Sequence, residues 1–347
     1  MSTFGNVSPE TVNVAADAKP PFFSDIRPGW FTAEPNAKRS REIARFWRTY
    51  WQYQATEALL SASEGLRQDF SRLINNVQSV DLDRKISPRL IARLVQLLES
   101  MGRQDYYAVM DCIQKWCADP LALWSSDSMV TESIAVEAWE DAILREIRAT
   151  KISDHIQLEC FPLFDRDIQP FHTIAEYARD LIRQVDRDMS AEIDSHITHI
   201  KLFDGSGIEG LSSPKTFGVI WLKVPNERTA LDWFLEHIVH ECSHLHLNVL
   251  MAMDPLLINP NEFHRAPIRP DPRPLFQVLH GTFVLARNCR VHSRLVAKFP
   301  ELNLGAKLDK FRDQLKNGLE VIQGVMQPTK HGQRVLSSLI RMAETSQ

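Results

Sequence analysis

From Ser40 onward the apolar positions recur at helical spacing. Ile43, Phe46, Trp51, Ala55 and Leu59 fall on one stripe and predict a long helix. The same periodicity predicts helices over about 66–76, 88–102, 104–117, 130–149 and 171–190, the last on Ile174, Tyr177, Ala178, Leu181 and Ile182. The pattern then changes. Residues 198–204 (THIKLFD) and 217–224 (FGVIWLKV) are short, β-branched or aromatic runs, and the Gly- and Ser-rich DGSGIEGLSSPK between them reads as a loop. Pro225-Asn226 marks a helix start, and a helix follows from about Glu227 to Met253. Pro255, Pro260, Pro267, Pro270, Pro272 and Pro274 then predict a stiff, non-helical connection. Helices resume over 275–298 and about 306–326, with a last one after Gly332.

The expected fold is mainly α (α+β), with a helical N-terminal half and a small β-sheet packed on helix 227–253, as in a zincin-like core. Residues 1–38 carry Pro9, Pro20, Pro21, Pro28 and Pro35 and predict an extended arm. Residues 39–190 form a helical region suited to binding a peptide, and 191–347 hold the candidate chemistry. No internal repeat is evident.

Composition narrows the function classes. The 347 residues carry 40 Lys plus Arg against 44 Asp plus Glu, a net charge of −4. A nucleic-acid binder would carry a basic excess, so none is expected as partner. No apolar run is long enough to span a membrane. The five cysteines form no CxxC pair, and residues 1–25 do not alternate basic and apolar regions as a signal peptide does. Together these predict a cytoplasmic protein.

Histidine changes the picture. Seven of the 12 lie between His237 and His292. His240-Glu241-Cys242-Ser243-His244 is an HExxH motif on the helix 227–253. At about 100° per residue, positions i and i+4 stand one above the other, so two imidazoles can share one metal ion, with Glu241 beside them. The flanking Leu235, Ile238, Val239, Leu245 and Leu247 predict burial, and buried histidines need partners that a metal supplies. Leu247 and Leu250 occupy the positions where a metzincin has Gly and His. Glu262 stands in a segment whose prolines allow at most a turn of helix, which argues against it as a later-helix ligand. His237 shares the stripe of His240 and His244, but three consecutive ligands on one helix converge poorly. His280, early in helix 275–298, can reach across to the pair. His246 points about 200° from His244 and reads as packing or surface. His264 and His292 are expected to be structural.

The proline-rich connection holds Arg265, Arg269 and Arg273 within nine residues. A guanidinium fork matches a carboxylate, so Arg273 or Arg269 is a candidate carboxylate clamp, with Arg287 and Arg290 on helix 275–298 as alternatives.

These residues carry a resemblance. THIKLFDGSGIEGLSSPKTFGVIWLKV, the Val-His-Glu-x-x-His, then Asp-Pro-Arg-Pro-Leu and Leu-His-Gly resemble the HExxH-motif proteins found beside ribosomal peptide natural-product genes. That family comprises iron(II)- and 2-oxoglutarate-dependent peptide β-hydroxylases. Specific similarity covers about residues 198–300. The resemblance implies His240, His244 and His280 as iron ligands, 2-oxoglutarate and dioxygen as cosubstrates, and an Asp side chain of a precursor peptide as the target. Glu241 would then orient a water or a ligand rather than act as a base. Cys242-Ser243 depart from the aromatic and Gln more usual in the motif, and an all-His set departs from the common two-His, one-carboxylate iron site. The rival expectation is a zinc metallopeptidase with Glu241 as general base and substrate paired to the strand edge. A catalytically dead binding module is the third class, against which the intact His240, Glu241, His244 and His280 argue.

Overall fold

The computed structural model describes residues 21–118, 129–134, 140, 159–268 and 271–345. Arg269 and the first half of the N-terminal arm lie outside them. Within the described part of the arm, Pro21–Asp25 and Pro28–Trp30 form 3-10 turns rather than an extended strand. They are turned in because Trp30 and Phe31 are buried, and Phe22, Phe23 and Trp30 pack edge-on against Phe46. Aromatic area of this size outweighs the cost of ordering the segment.

Phe46 belongs to α1 (Ala37–Leu66), capped by Asn36, whose Oδ1 accepts from Arg39 N at 3.0 Å. Three further helices complete the N-terminal half: α2 (Ser71–Gln78), α3 (Pro88–Gly102) and α4 (Tyr106–Ala118). The apolar periodicity anticipates all of them. The helix expected over 130–149 is corrected at its start. Val130–Ser133 is strand β1, parallel to β3 (His199–Ser206). β-branched Val130 and Thr131 suit a ladder, and the edge offered by β3 decides between the two readings. Of the remaining residues in that span, only Ile134 and Glu140 are described. β2 (Glu159–Phe161) pairs antiparallel with the far end of β3.

The helix expected over 171–190 is two helices, α5 (Asp165–Val185) and α6 (Arg187–His196). Asp186 divides them and caps the second, accepting from Met189 N at 3.1 Å. The sheet runs β1-β3-β5-β4, with β5 (Val219–Lys223) parallel to β3 and β4 (Gly210–Ser212) antiparallel at the edge. β4 lies in the stretch that reads as a loop. Ile200, Leu202, Ile220 and Leu222 face the main core, while Phe203, Val219 and Trp221 join a second, smaller cluster on the opposite face.

The main core is continuous from Trp30 to Met342 and includes Ile238, Val239 and Leu245 of α7 (Ala230–Met253). The division expected at residue 190 therefore falls inside α6 and inside one core. Among the described residues the chain after α7 makes no helix until α8 (Leu275–Lys298), as the prolines require. It forms a small ribbon instead, β6 (Phe263–Arg265) against β7 (Pro272–Pro274). α9 (Gly305–Val325) packs on α8, and α10 (Lys330–Thr345) closes the body.

The entry to α10 is stitched to the exit of α7. Ile258 N donates to Gln327 O at 2.8 Å, Thr329 N to Leu256 O at 3.0 Å, and Gln327 N to Asn259 Oδ1 at 3.0 Å. Gly332 permits this approach, since a Cβ there would lie 1.7 Å from Leu256 O. No described helix is long and apolar enough to cross a membrane.

Candidate metal centre

α7 is buried along almost its whole length, from Phe234 to Leu250. It therefore presents chemistry on two faces. On one face the rings of His240 and His244 are 4.8 Å apart, one turn after the other. α8 brings His280 alongside, 5.5 Å from the His244 ring, with the two Nδ1 atoms 3.3 Å apart. His244 thus lies against both His240 and His280, and all three rings are buried. Burial is the largest influence on each and holds them neutral: His240 is pushed down to about 3, His280 to about 4, and His244 well below the usual imidazole value. A neutral imidazole is the form that binds a metal.

The donor set fits a metal in kind. Two nitrogens at about 2.1 Å from one ion, at right angles, lie about 3 Å apart, close to the His244–His280 separation. The coordination shell is not closed, however. Among the described residues no three His, Cys, Asp or Glu side chains stand ready-made around one point. The reason is visible at His280, whose Nε2 lies 3.1 Å from Met251 Sδ.

His237 stacks on Trp233 at 4.0 Å and bonds its backbone oxygen through Nδ1 at 2.9 Å, which occupies it within its own helix. His292 likewise bonds Asn288 O at 2.9 Å and packs on Phe311. His264 lies in the ribbon near Glu262, which also accepts from Asn259 Nδ2 at 2.8 Å, in the turn outside any helix.

Glu241 is directed at the sheet. Its Oε2 accepts from Ser212 Oγ at 2.8 Å, and its Oε1 has no hydrogen-bond partner and lies against Gly210. A Cβ on Gly210 would come within 2.7 Å of that oxygen, so glycine makes room for the carboxyl. Burial, only partly offset by the Ser212 bond, raises the carboxyl to about 8. A lone Gly-Leu-Ser inside a Gly- and Ser-rich stretch carries no strand signal, so this contact is not legible in the sequence.

The opposite face of α7 carries His246, and it is packing rather than surface. His246 Nδ1 lies 3.4 Å from Glu192 Oε2 and 3.2 Å from His196 Nε2. Glu192, on α6, is buried and held down to about 2; burial opposes this, and Arg287 overcomes it with help from His246 and His196. Arg287 from α8 donates to both Glu192 oxygens and, through Nε at 2.9 Å, to Ala33 O, with its guanidinium over the Phe283 ring. Its donors are committed inside the fold, which is a physical reason to remove it from the candidate clamp. Arg273 keeps a one-quarter-exposed side chain paired to Asp271 at 2.6 Å, and its Nε has no partner.

No protein-family model matches the chain, and no curated protein matches it either.

Proposed function

We propose that the chain is an iron(II)- and 2-oxoglutarate-dependent oxygenase. It hydroxylates the β-carbon of a side chain, Asp by resemblance, in a ribosomally made precursor peptide. The observation that carries the reading is the place of His244, which lies against His240 of its own helix and against His280 of α8, all three buried. The arrangement of an edge strand over the motif helix supports a zincin-like core, with β4 tied to Glu241.

His240, His244 and His280 would hold the iron, with His280 turning from Met251 to do so. Three protein ligands leave positions for a keto acid and dioxygen. Iron supplies the oxidising chemistry when bound with those cosubstrates. The chain's own residues do the rest. Arg273, or Arg269 four residues before it in the sequence, would receive the far carboxylate of 2-oxoglutarate, for which a guanidinium fork is suited. The apolar wall of α7 and α8 excludes water. Glu241 accepts from Ser212 and ties strand β4 to the motif helix.

The test is a reconstitution. Protein purified without oxygen is mixed with iron(II), 2-oxoglutarate and the partner peptide, and oxygen is admitted. The peptide should gain one oxygen atom while succinate and carbon dioxide appear in equal amounts. Peptide cleavage supported by zinc without oxygen would overturn the proposal.

A further inference from the structure

A cavity of about 20 Å³ lies where α1 meets α3, α6 and the residues leading into β5. That is room for about one water-sized atom. Trp47, Arg48 and Trp51 line it from α1, and His196, Lys85 and Phe217 line it from the other side. Among the described residues no carboxylate lines it.

Three buried nitrogens of these residues have no hydrogen-bond partner: Trp47 Nε1, Arg48 Nε and Trp51 Nε1. An indole and a guanidinium nitrogen can only donate, so all three are donors.

Leaving three buried donors unmet is costly. A single water offers two lone pairs and cannot serve them all. A spherical anion accepts from every side, and the Arg48 guanidinium supplies positive charge beside it. We propose that this cavity binds one small monovalent anion of halide size, held by the N–H groups of Trp47, Arg48 and Trp51. The ion would sit between α1 and α6.

Bromide is the probe. Crystals of the full chain grown in sodium bromide should give an anomalous peak in this cavity at the bromine absorption edge. In solution, bromide or chloride should raise the thermal midpoint saturably, by about 1–3 °C, over sodium gluconate at equal ionic strength. Trp51→Phe keeps the ring and removes one donor, and Arg48→Met removes the charge; each should abolish the saturable part. A water in the cavity with no anomalous signal overturns the proposal. So does a halide effect that survives in both variants. The crystal measurement uses the unaltered chain, so it decides the matter even if a variant fails to fold.

Discussion

Ser212 Oγ donates to Glu241 Oε2 at 2.8 Å, which ties the acid of the HExxH turn to the edge strand β4. Glu241→Gln keeps an acceptor for Ser212 and keeps the shape. In the proposed oxygenase this variant should hold its iron and retain turnover within about tenfold. A hydrolytic base is worth about 10²–10⁴ in rate, so a loss of that size in succinate formation would return Glu241 to the reacting atoms.

His244 and His246 stand two residues apart on α7 and serve different faces. His244→Ala and His280→Ala should each weaken iron uptake by more than about tenfold, measured by metal content after dialysis. His246→Ala should leave metal content unchanged and lower the urea midpoint instead. Full metal content in His280→Ala would remove His280 from the ligand set.

Arg287 and Arg273 should separate stability from cofactor binding. Arg287→Met leaves Glu192 charged and buried without its main partner, at a cost of about 3–5 kcal/mol in urea unfolding. Glu192→Gln combined with Arg287→Met should cost less than the two single changes summed. Arg273→Ala should leave the midpoint within about 0.5 kcal/mol and raise the 2-oxoglutarate concentration needed for half-maximal succinate formation. An unchanged requirement would shift the clamp to Arg269.

Acid should unfold the metal-free protein through its imidazoles. His196, His199 and His292 are each held down to about 4, mainly by burial. Their folded values lie below the ordinary 6.5, so between pH 6.5 and about 4 the unfolded chain binds protons that the folded chain refuses. Stability then falls as pH falls, by at most about 1.4 kcal/mol per pH unit for each group. Glu192, held down to about 2, adds a loss in the same direction below about pH 4.5. Glu241, raised to about 8, acts oppositely between about pH 4.5 and 8, but it is one group against three. Urea midpoints measured from pH 7 to 4 should decline steadily; a flat profile would contradict the burial of these rings.

Legibility followed the range of the interactions. α7 and α8 read clearly because each carries its own apolar periodicity, and the prolines between them forbid a helix by local chemistry alone. The meeting of His240 and His244 follows from helix pitch. That His280 joins them could be proposed but not its turn toward Met251, which depends on packing between two helices. β1 was read as helix because four residues with weak alternation take their state from the strand beside them. The Glu192–Arg287 pair is not legible in the sequence because its partners are 95 residues apart, and Arg287 alone reads as a candidate carboxylate clamp. Ser212 and Gly210 escaped because their roles exist only opposite Glu241.

The stitching of residues 327–332 to 256–259 has a consequence for how the chain tolerates shortening. The final helix reads on its own as a dispensable amphipathic tail. Yet its entry provides the backbone partners for the first turn of the connection that leaves α7 and arrives at α8. Removing it would unclasp the hinge between the two helices that carry the histidine trio. Damage at the far end of the polypeptide would then surface first as lost metal affinity, with the helical content of the remainder largely kept.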